Sequence, residues 1–223
     1  MKAAAGINVR RSSILAIREE PAKRTPSRDF FAVAPLNSLV TDVIVAGGGP
    51  AGLSAALFAA KNDLDVLVFD TDETWLHKAH LFNYLGIESI DGSAFVEGAR
   101  SQVEDFGART REEEVTGVAE TGDGFAVETD EGTYESRYLV LATGADRELG
   151  DDLGVEFTDE GVVDVDVSME TSVENAYATG AMVRAEEWEA VIAAGDGAAA
   201  AINILSAEKG EHFHDFDTPA DAE

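Results

Sequence analysis

The segment VIVAGGGPAGLSAALFAA, residues 43–60, places three glycines and a proline between an apolar run and an alanine-rich run. The β-branched residues within 41–46 predict a buried strand that ends at the glycines. Proline fits the first turn of a helix, so the residues from Pro50 onward predict a helix. The run DVLVFD at 65–70 predicts a second strand. A strand, a glycine turn, a helix and a strand within about 30 residues are typical of a βαβ unit.

The glycine turn matches the G-x-G-x-x-G pattern of dinucleotide-binding loops, with its glycines at Gly47, Gly49 and Gly52. The first glycine permits the tight turn, the second lets a pyrophosphate approach the backbone, and the third lets the helix pack close to the strand. The helix N-terminus then offers free N–H groups and the positive end of its dipole to the phosphates. Asp70 ends the second strand, where an acidic side chain bonds the ribose hydroxyls of an adenosine. A tight turn without a ligand is the alternative, and the complete motif in its βαβ context disfavours it.

The charge balance excludes several classes of partner. The chain of 223 residues carries 44 acidic and 16 basic residues, a net charge of −28. Such a charge disfavours binding to nucleic acid through phosphates and adsorption to anionic membranes. It resembles the acidic surfaces of proteins from halophiles, which need salt to screen their self-repulsion. No apolar run approaches the roughly 20 residues that span a bilayer and no secretory signal is present, so we expect a cytoplasmic protein.

The first 37 residues differ in composition from the rest of the chain. They hold seven basic and three acidic residues and three of the five prolines, whereas the remaining residues carry a net charge of −32. Three interpretations of residues 1–37 stay open: a disordered extension, a basic targeting presequence, or a start site assigned too far upstream. We expect a single folded domain over residues 38–210, followed by an acidic, solvated tail over residues 211–223.

Three short β-rich runs follow a helix predicted near residues 94–106. They lie at 113–120, 124–130 and 133–144, separated by the turns GDG and DEG. This pattern predicts a three-stranded β-meander that returns into the segment LVLATGA. A final alanine-rich helix is predicted near residues 187–209. The predicted fold class is therefore α/β: a Rossmann-like dinucleotide-binding domain with a parallel sheet plus the meander.

Several segments resemble the thioredoxin-reductase-like flavoproteins, a family of pyridine nucleotide-disulfide oxidoreductases with two dinucleotide-binding domains. The segment 43–60 resembles that family's FAD pyrophosphate loop, and NYLGIESIDGSAFVEGARSQVEDFGA at 83–108 resembles its segment beside the flavin. LATGA at 141–145 is similar to its second fingerprint, and TSVENAYATGAM at 171–182, with the final helix, is similar to its C-terminal signature. The resemblance covers residues 41–205 and implies FAD, rather than NAD, at the glycine loop.

The loop and the resemblance together give a candidate cofactor site. The resemblance implies backbone contacts to the cofactor near Val118, Thr143 and Gly144, and a final helix whose N-terminus points at the flavin. Asn83 matches an asparagine of the family's flavin-proximal segment. No catalytic side chain and no metal site is predicted. The candidate cofactor-binding residues are Gly47, Gly48, Gly49, Pro50, Ala51, Gly52, Asp70, Asn83, Val118, Thr143, Gly144, Gly180, Ala181, Glu189 and Ala190.

The sequence also departs from the family's pattern. In that family an NADPH-binding domain, which carries a CxxC pair in the thioredoxin reductases, is inserted after the ATG segment; here residues 141–163 connect the two FAD halves directly. The chain contains no cysteine, which excludes dithiol chemistry. Gly180-Ala181 stands where the family has Gly-Asp, and Trp188-Glu189-Ala190 stands where it often has Arg-Gln-Ala. A carboxylate only accepts hydrogen bonds and would repel a reduced, anionic flavin.

Two functional hypotheses from different classes follow. The chain is either an FAD-dependent oxidoreductase, reduced by free NAD(P)H or by a separate electron donor, or a non-catalytic module that binds FAD or another adenine dinucleotide as a sensor or subunit. Ala181 and Glu189 favour the second hypothesis, and the intact loop fits both. Trp75 and Trp188 either stack on the flavin or pack in the fold. The alanine-rich face of the final helix is a candidate surface for a homodimer.

Overall fold

The structure is a computed structural model, and it describes residues 40–218. The expectations about residues 1–37 and about the last part of the tail, residues 219–223, lie outside the described residues. Two short 3-10 turns, Trp75–Lys78 and Gly180–Met182, accompany the longer elements. In chain order those elements are β1 (Thr41–Ala46), α1 (Pro50–Lys61), β2 (Val66–Phe69), β3 (His80–Leu81), β4 (Ile90–Asp91), α2 (Gly92–Asp105), β5 (Arg109–Arg111), β6 (Val115–Glu120), β7 (Phe125–Thr129), β8 (Thr133–Leu141), α3 (Glu148–Leu153), β9 (Ala176–Ala178) and α4 (Ala190–Lys209).

The main sheet joins a parallel half to an antiparallel half. Its strand order is β5-β2-β1-β8-β7-β6, and β9 also pairs with β8. β1 is parallel to β2 and to β8, and β9 is parallel to β8, so the carboxyl ends of these strands meet at one edge. The strands β6, β7 and β8 form an antiparallel meander. The predicted fold class, a Rossmann-like α/β domain with a parallel sheet and a three-stranded meander, is confirmed.

The strand β8 connects the two halves of the sheet, because different parts of this nine-residue strand have different neighbours. Residues 133–136 pair with β7, and residues 136–141 pair with β1. The last three residues also pair with β9, which lies on the far side of the connection 142–175. The two halves of the sequence therefore share one sheet.

Small residues set the distance between α1 and α4, which pack together on one face of the sheet. Ala51 and Ala55 of α1 and Ala200 of α4 are buried. A Cβ atom built on Gly197 would lie 2.0 Å from the Ala51 carbonyl oxygen, so only glycine fits at this contact. The opposite face of the sheet packs against α3 and the segment around Val163. The central parallel strands are thus buried on both sides, as parallel strands usually are.

The helix α4 has 20 residues and is long and apolar enough to cross a membrane by length and composition. This finding corrects the expectation that no apolar segment of the chain reaches that length. Core helices of globular proteins meet the same criterion. α4 packs against α1, and its residue Asp196 is buried and accepts two hydrogen bonds from Arg184, at 2.7 and 3.1 Å. We therefore assign α4 to the core of the fold.

The described part of the acidic tail is largely exposed, as expected of a solvated end, but a few of its residues bond to the domain. Lys61, at the end of α1, forms ion pairs with Asp215 and Asp217 at 2.7 and 2.6 Å. The Phe213 backbone N–H donates to Ser206 Oγ at 3.0 Å. The hydrogen bonds that Lys61 donates to these two carboxylates raise the pKa of Lys61. Lys61, distant in sequence, thus helps to hold this acidic segment against the domain.

We predict that Gly197→Ala lowers the free energy of unfolding by about 1–3 kcal/mol, because the new methyl group forces α1 and α4 apart. Urea unfolding followed by circular dichroism measures the change. Gly195→Ala is the matched control, since this glycine is on the same helix and no atom outside the helix lies within 4 Å of its Cβ position. The control should be neutral or up to about 1 kcal/mol more stable. Equal effects of the two substitutions would contradict the close contact.

Candidate functional site

The glycine loop lies at the carboxyl edge of the sheet, between β1 and α1. Gly47 has a φ of +111°, and a Cβ atom on it would lie 2.3 Å from the Ala142 carbonyl oxygen. A Cβ atom on Gly52 would lie 1.8 Å from the Gly47 carbonyl oxygen. The fold itself therefore requires glycine at both positions, whereas a Cβ atom on Gly49 would contact only Thr74 Oγ1, at 3.6 Å. The second glycine of the motif is the one that keeps space free beside the loop, as the approach of a phosphate requires.

A cleft of about 1010 Å³ opens at this edge of the sheet. This volume is at the upper end of the range for small-molecule sites, so it can hold a dinucleotide. The structure brings together the loop, the end of β2, the end of β8 and the turn after β9 around this cleft. The predicted cofactor residues that line it are Gly47, Gly48, Gly49, Pro50, Ala51, Asp70, Thr143, Gly144, Gly180, Ala181 and Ala190.

Four predicted residues lie outside the cleft lining. Gly52 is inside α1, and the Val118 side chain is buried in the core, with 4% of the residue exposed. The wall of the cleft at β6 is formed by residues 114–116 instead. Asn83 and Glu189 bond to each other, with Asn83 Nδ2 donating to Glu189 Oε2 at 2.7 Å. A role for these four residues at a cofactor stays a prediction.

Asp70 is held at the cleft by two hydrogen bonds. Its Oδ1 accepts from the Gly48 N–H at 3.0 Å, and its Oδ2 accepts from Arg100 Nη2 at 2.7 Å. Arg100 also bonds Asp72 at 2.8 Å, and this contact holds the pKa of Asp72 below its usual range. Each carboxylate oxygen accepts more than one donor, so Asp70 keeps acceptor capacity for ribose hydroxyls. No local sequence signal around Arg100, on α2, indicates this contact.

Two helix N-termini line the cleft without a capping side chain. α1 begins after Gly49 and α4 begins after Glu189, and neither has a side-chain hydrogen bond at its N-cap. In contrast, α2 begins outside the cleft lining and is capped by Asp91, whose carboxylate accepts from the Ser93 N–H at 3.0 Å. Uncapped N–H groups and the positive end of a helix dipole attract anions. The cleft therefore offers two separate positions for negative charge on a ligand.

Arg147 ties the end of β8 to the turn after β9. Its Nη2 donates to the Ala181 carbonyl oxygen at 2.9 Å, and its Nε donates to the Met182 carbonyl oxygen at 3.1 Å. Its Nη1 donates to the Ala145 carbonyl oxygen at 2.9 Å. The Arg147 guanidinium thus bonds one carbonyl just after β8 and two carbonyls just after β9. The sequence does not single out Arg147, because its partners are backbone carbonyls, which any residue can supply.

Two exposed tryptophans stand at the cleft. The rings of Trp75 and Trp188 contact each other edge to face, with centroids 5.5 Å apart and an interplanar angle of 73°. Trp75 is 67% exposed and Trp188 is 46% exposed. Trp188 Nε1 donates to the Arg184 carbonyl oxygen at 2.9 Å, and the Arg184 guanidinium is in turn held by buried Asp196. The two rings therefore pack against each other at the surface of the cleft and are not buried in the core.

The charged side chains that line the cleft are all acidic. Burial opposes the ionisation of Glu113, but hydrogen bonds from Thr129 and Arg111 hold its pKa below the usual range. Among the described residues that line the cleft there is no lysine, arginine or histidine, so a diphosphate has only backbone N–H groups and helix dipoles to bind. Despite the many carboxylates, residues 40–218 contain no group of three side chains arranged to hold a metal ion. The charged residues of the lining are Asp70, Glu73, Glu113, Glu114, Asp146, Glu148 and Asp152.

The sequence also matches a known family over the residues that build this cleft. The pattern of the pyridine nucleotide-disulphide oxidoreductases matches residues 41–150 and 102–198, which together span β1 to the middle of α4. This chain belongs to the pyridine nucleotide-disulphide oxidoreductase family. The resemblance to thioredoxin-reductase-like flavoproteins, which rested on short motifs, is confirmed.

Thioredoxin reductases are among the relatives of the chain. The protein from Treponema pallidum is 36% identical over 132 residues, which are 54% of this chain and 41% of that protein. The protein from Listeria monocytogenes is 33% identical over 115 residues, which are 50% of this chain and 36% of that protein. This chain therefore spans less than half the length of these curated relatives.

Solved structures share the fold at low sequence identity. A thioredoxin reductase from Gloeobacter violaceus has a TM-score of 0.74 at 21% identity, with 80% of this chain and 99% of that chain covered. The thioredoxin reductase of T. acidophilum has a TM-score of 0.69 at 19% identity, with 76% and 99% covered. A ferredoxin-flavin thioredoxin reductase from Clostridium acetobutylicum has a TM-score of 0.67 at 18% identity, with 77% and 99% covered. These likenesses confirm the mainly parallel α/β architecture.

We predict that Gly49→Val weakens the binding of ADP about tenfold to a hundredfold while the chain stays folded. A Cβ atom at this position has only Thr74 Oγ1 nearby, at 3.6 Å, and the valine occupies the space beside the loop, so a phosphate loses its charged hydrogen bonds to the amides. Titration calorimetry with ADP measures the loss. Gly132→Val, in the hairpin between β7 and β8, adds an equally unhindered side chain away from the cleft and should bind normally. Unchanged binding by Gly49→Val would contradict the loop assignment.

We also predict that the affinity for ADP rises when KCl is raised from about 0.1 M to about 1 M, a change that shortens the Debye length from about 10 Å to about 3 Å. Salt screens the repulsion between the phosphates and the carboxylates of the cleft. A site that bound phosphates through lysine or arginine would lose affinity instead. Calorimetry at several salt concentrations measures the slope, and the double variant Glu148→Gln with Asp152→Asn should flatten it. A fall in affinity with salt would refute this electrostatic description.

Proposed function

We propose that the chain is an FAD-binding oxidoreductase that passes electrons through the flavin between a separate donor and an acceptor, without dithiol chemistry. One observation carries the proposal: the glycine loop and two uncapped helix N-termini meet in one cleft large enough for a dinucleotide. Membership of the pyridine nucleotide-disulphide oxidoreductase family supports a flavin as the ligand. The sequence contains no cysteine, so a redox-active thiol pair is not part of the proposal.

Each part of the cleft has a role in holding such a cofactor. The free N–H groups at the start of α1 would bind the diphosphate, where Gly49 leaves room for it. Asp70 would accept hydrogen bonds from the ribose of the adenosine, while Arg100 keeps its carboxylate in place. The uncapped N-terminus of α4 would stabilise negative charge on the ligand. When bound, FAD supplies the electron transfer, and the protein supplies binding, orientation and electrostatics.

In this proposal the electron donor is a separate molecule. The chain passes from β8 to β9 through residues 142–175, which contain one short helix and no second glycine-rich dinucleotide loop. Free NAD(P)H and a separate electron carrier are the two candidate donors. The similar fold from Clostridium acetobutylicum is named for ferredoxin, a protein carrier, so the fold is compatible with the second candidate.

A non-catalytic nucleotide-binding module is the second candidate function. Ala181 stands where the family pattern has an aspartate, and its carbonyl oxygen accepts from Arg147. Glu189 stands where that pattern often has glutamine, and its carboxylate accepts from Asn83. Both features reduce the polar contacts available to a flavin ring, which favours binding of a dinucleotide without turnover.

The cellular setting is part of the proposal as well. A net charge of −28 needs screening, which favours a salt-rich cytoplasm as the place of action. A homodimer remains a candidate assembly, with the exposed part of α4 as its candidate surface. Sedimentation of the full chain at low and high salt would measure the assembly.

The colour of the purified full chain tests the proposed function. We expect the visible absorption of oxidised flavin, either as purified or after FAD is added, and bleaching by NAD(P)H or by dithionite. Bleaching by NAD(P)H assigns a nicotinamide donor, whereas bleaching by dithionite alone assigns a separate carrier. Gly49→Val is the control and should retain less flavin than the parent chain once unbound FAD is removed. A colourless chain that binds ADP but not FAD would favour the non-catalytic module, and a chain that binds neither would overturn both.

A further inference from the structure

We propose that Trp75 and Trp188 form an aromatic recognition surface for the planar ring system of the bound dinucleotide, the isoalloxazine of FAD. This inference rests on the proposed function and deepens it, because it assigns the ring end of the ligand to two side chains. The sequence contains only two tryptophans, and both line the same cleft. Large aromatic side chains are normally buried, so two exposed ones in contact at a cleft indicate a binding surface.

The exposure of the two rings shows that they do not serve the core. Trp75 keeps 67% and Trp188 keeps 46% of its surface open, although the two are in edge-to-face contact. Neither ring belongs to the two apolar clusters on the faces of the sheet. Each ring therefore keeps exposed surface on which a flat ligand can stack.

Hydrogen bonds fix the position of the second ring before any ligand binds. Trp188 Nε1 donates to the Arg184 carbonyl oxygen at 2.9 Å. The Arg184 guanidinium bonds both oxygens of Asp196, which is buried in α4. A preorganised ring loses little conformational entropy on binding, which favours a recognition role over a chance exposure.

The chemistry of the cleft suits an uncharged aromatic group at this position. The charged side chains of the lining are all acidic, so phosphates are restricted to the loop and the helix N-termini. Trp75 and Trp188 add neutral, electron-rich faces beside those carboxylates, and an electron-poor ring such as an oxidised flavin stacks well on an indole. Trp188 also stands where the family pattern often has arginine, so this chain has an aromatic ring in place of a cation.

The test compares FAD with ADP, which shares the diphosphate and the adenosine but lacks the ring system. We expect Trp75→Ala and Trp188→Ala each to weaken FAD binding about tenfold and to leave ADP binding unchanged, by calorimetry on the full chain. Unchanged ADP binding also shows that each variant is folded. Phe216→Ala removes an equally exposed aromatic ring outside the cleft and is the matched control.

A second readout reports contact directly. An indole in contact with an excited flavin quenches its fluorescence by electron transfer, and phenylalanine does not. The fluorescence of bound FAD should therefore rise in Trp75→Phe and Trp188→Phe, while the FAD affinity stays within a few-fold of the parent. If FAD and ADP bind but none of these variants changes FAD affinity or flavin fluorescence, the inference is overturned and the proposed function stands. If neither ligand binds the parent chain, the proposed function falls, and the inference falls with it.

Discussion

Backbone atoms of three elements meet at the glycine loop with no space for a side chain, and the rest of the structure depends on this contact. Gly52 of α1 lies against the Gly47 carbonyl, and Gly47 lies against the Ala142 carbonyl at the end of β8. The Gly47 N–H also donates to the Phe69 carbonyl oxygen of β2 at 2.7 Å. The packing that joins α1, β1, β2 and β8 therefore also places the N-terminus of α1 at the cleft. Fold and candidate site share one steric constraint.

Much of the parallel half of the sheet was predictable from the sequence, because its signals are local. The strand predicted at 41–46 has those bounds in the structure, since glycine ends it and β-branched residues fill it. The helix predicted near 94–106 forms at Gly92–Asp105, where Asp91 caps it. The final helix was predicted to begin near residue 187 but begins at Ala190. A run of glutamates is compatible with a helix, so composition alone does not locate that start.

The residues that sequence reasoning missed act over long distances. Arg100 and Arg147 organise the cleft through bonds to a side chain on another element and to backbone carbonyls, and neither kind of partner leaves a pattern near the arginine. A backbone contact of Val118 to the cofactor stays a prediction, and the wall of the cleft is formed by residues 113–116, at the start of β6. The depth of a strand relative to a cleft depends on how neighbouring strands are staggered. The contacts of the tail were not predictable for the same reason, since only the fold brings Lys61 to Asp215 and Asp217.

The connection from β8 to β9, residues 142–175, affects how the molecule folds. Leu141 pairs with Ala178 across residues 142–175, which contain one short helix. The entropy lost in closing a loop grows with the logarithm of its length, by about 0.6 kcal/mol for each doubling. A connection without an inserted domain costs less entropy to close than a longer one. Residues 142–175 contain no separate domain that could unfold on its own. The sheet should therefore assemble and come apart in a single cooperative transition.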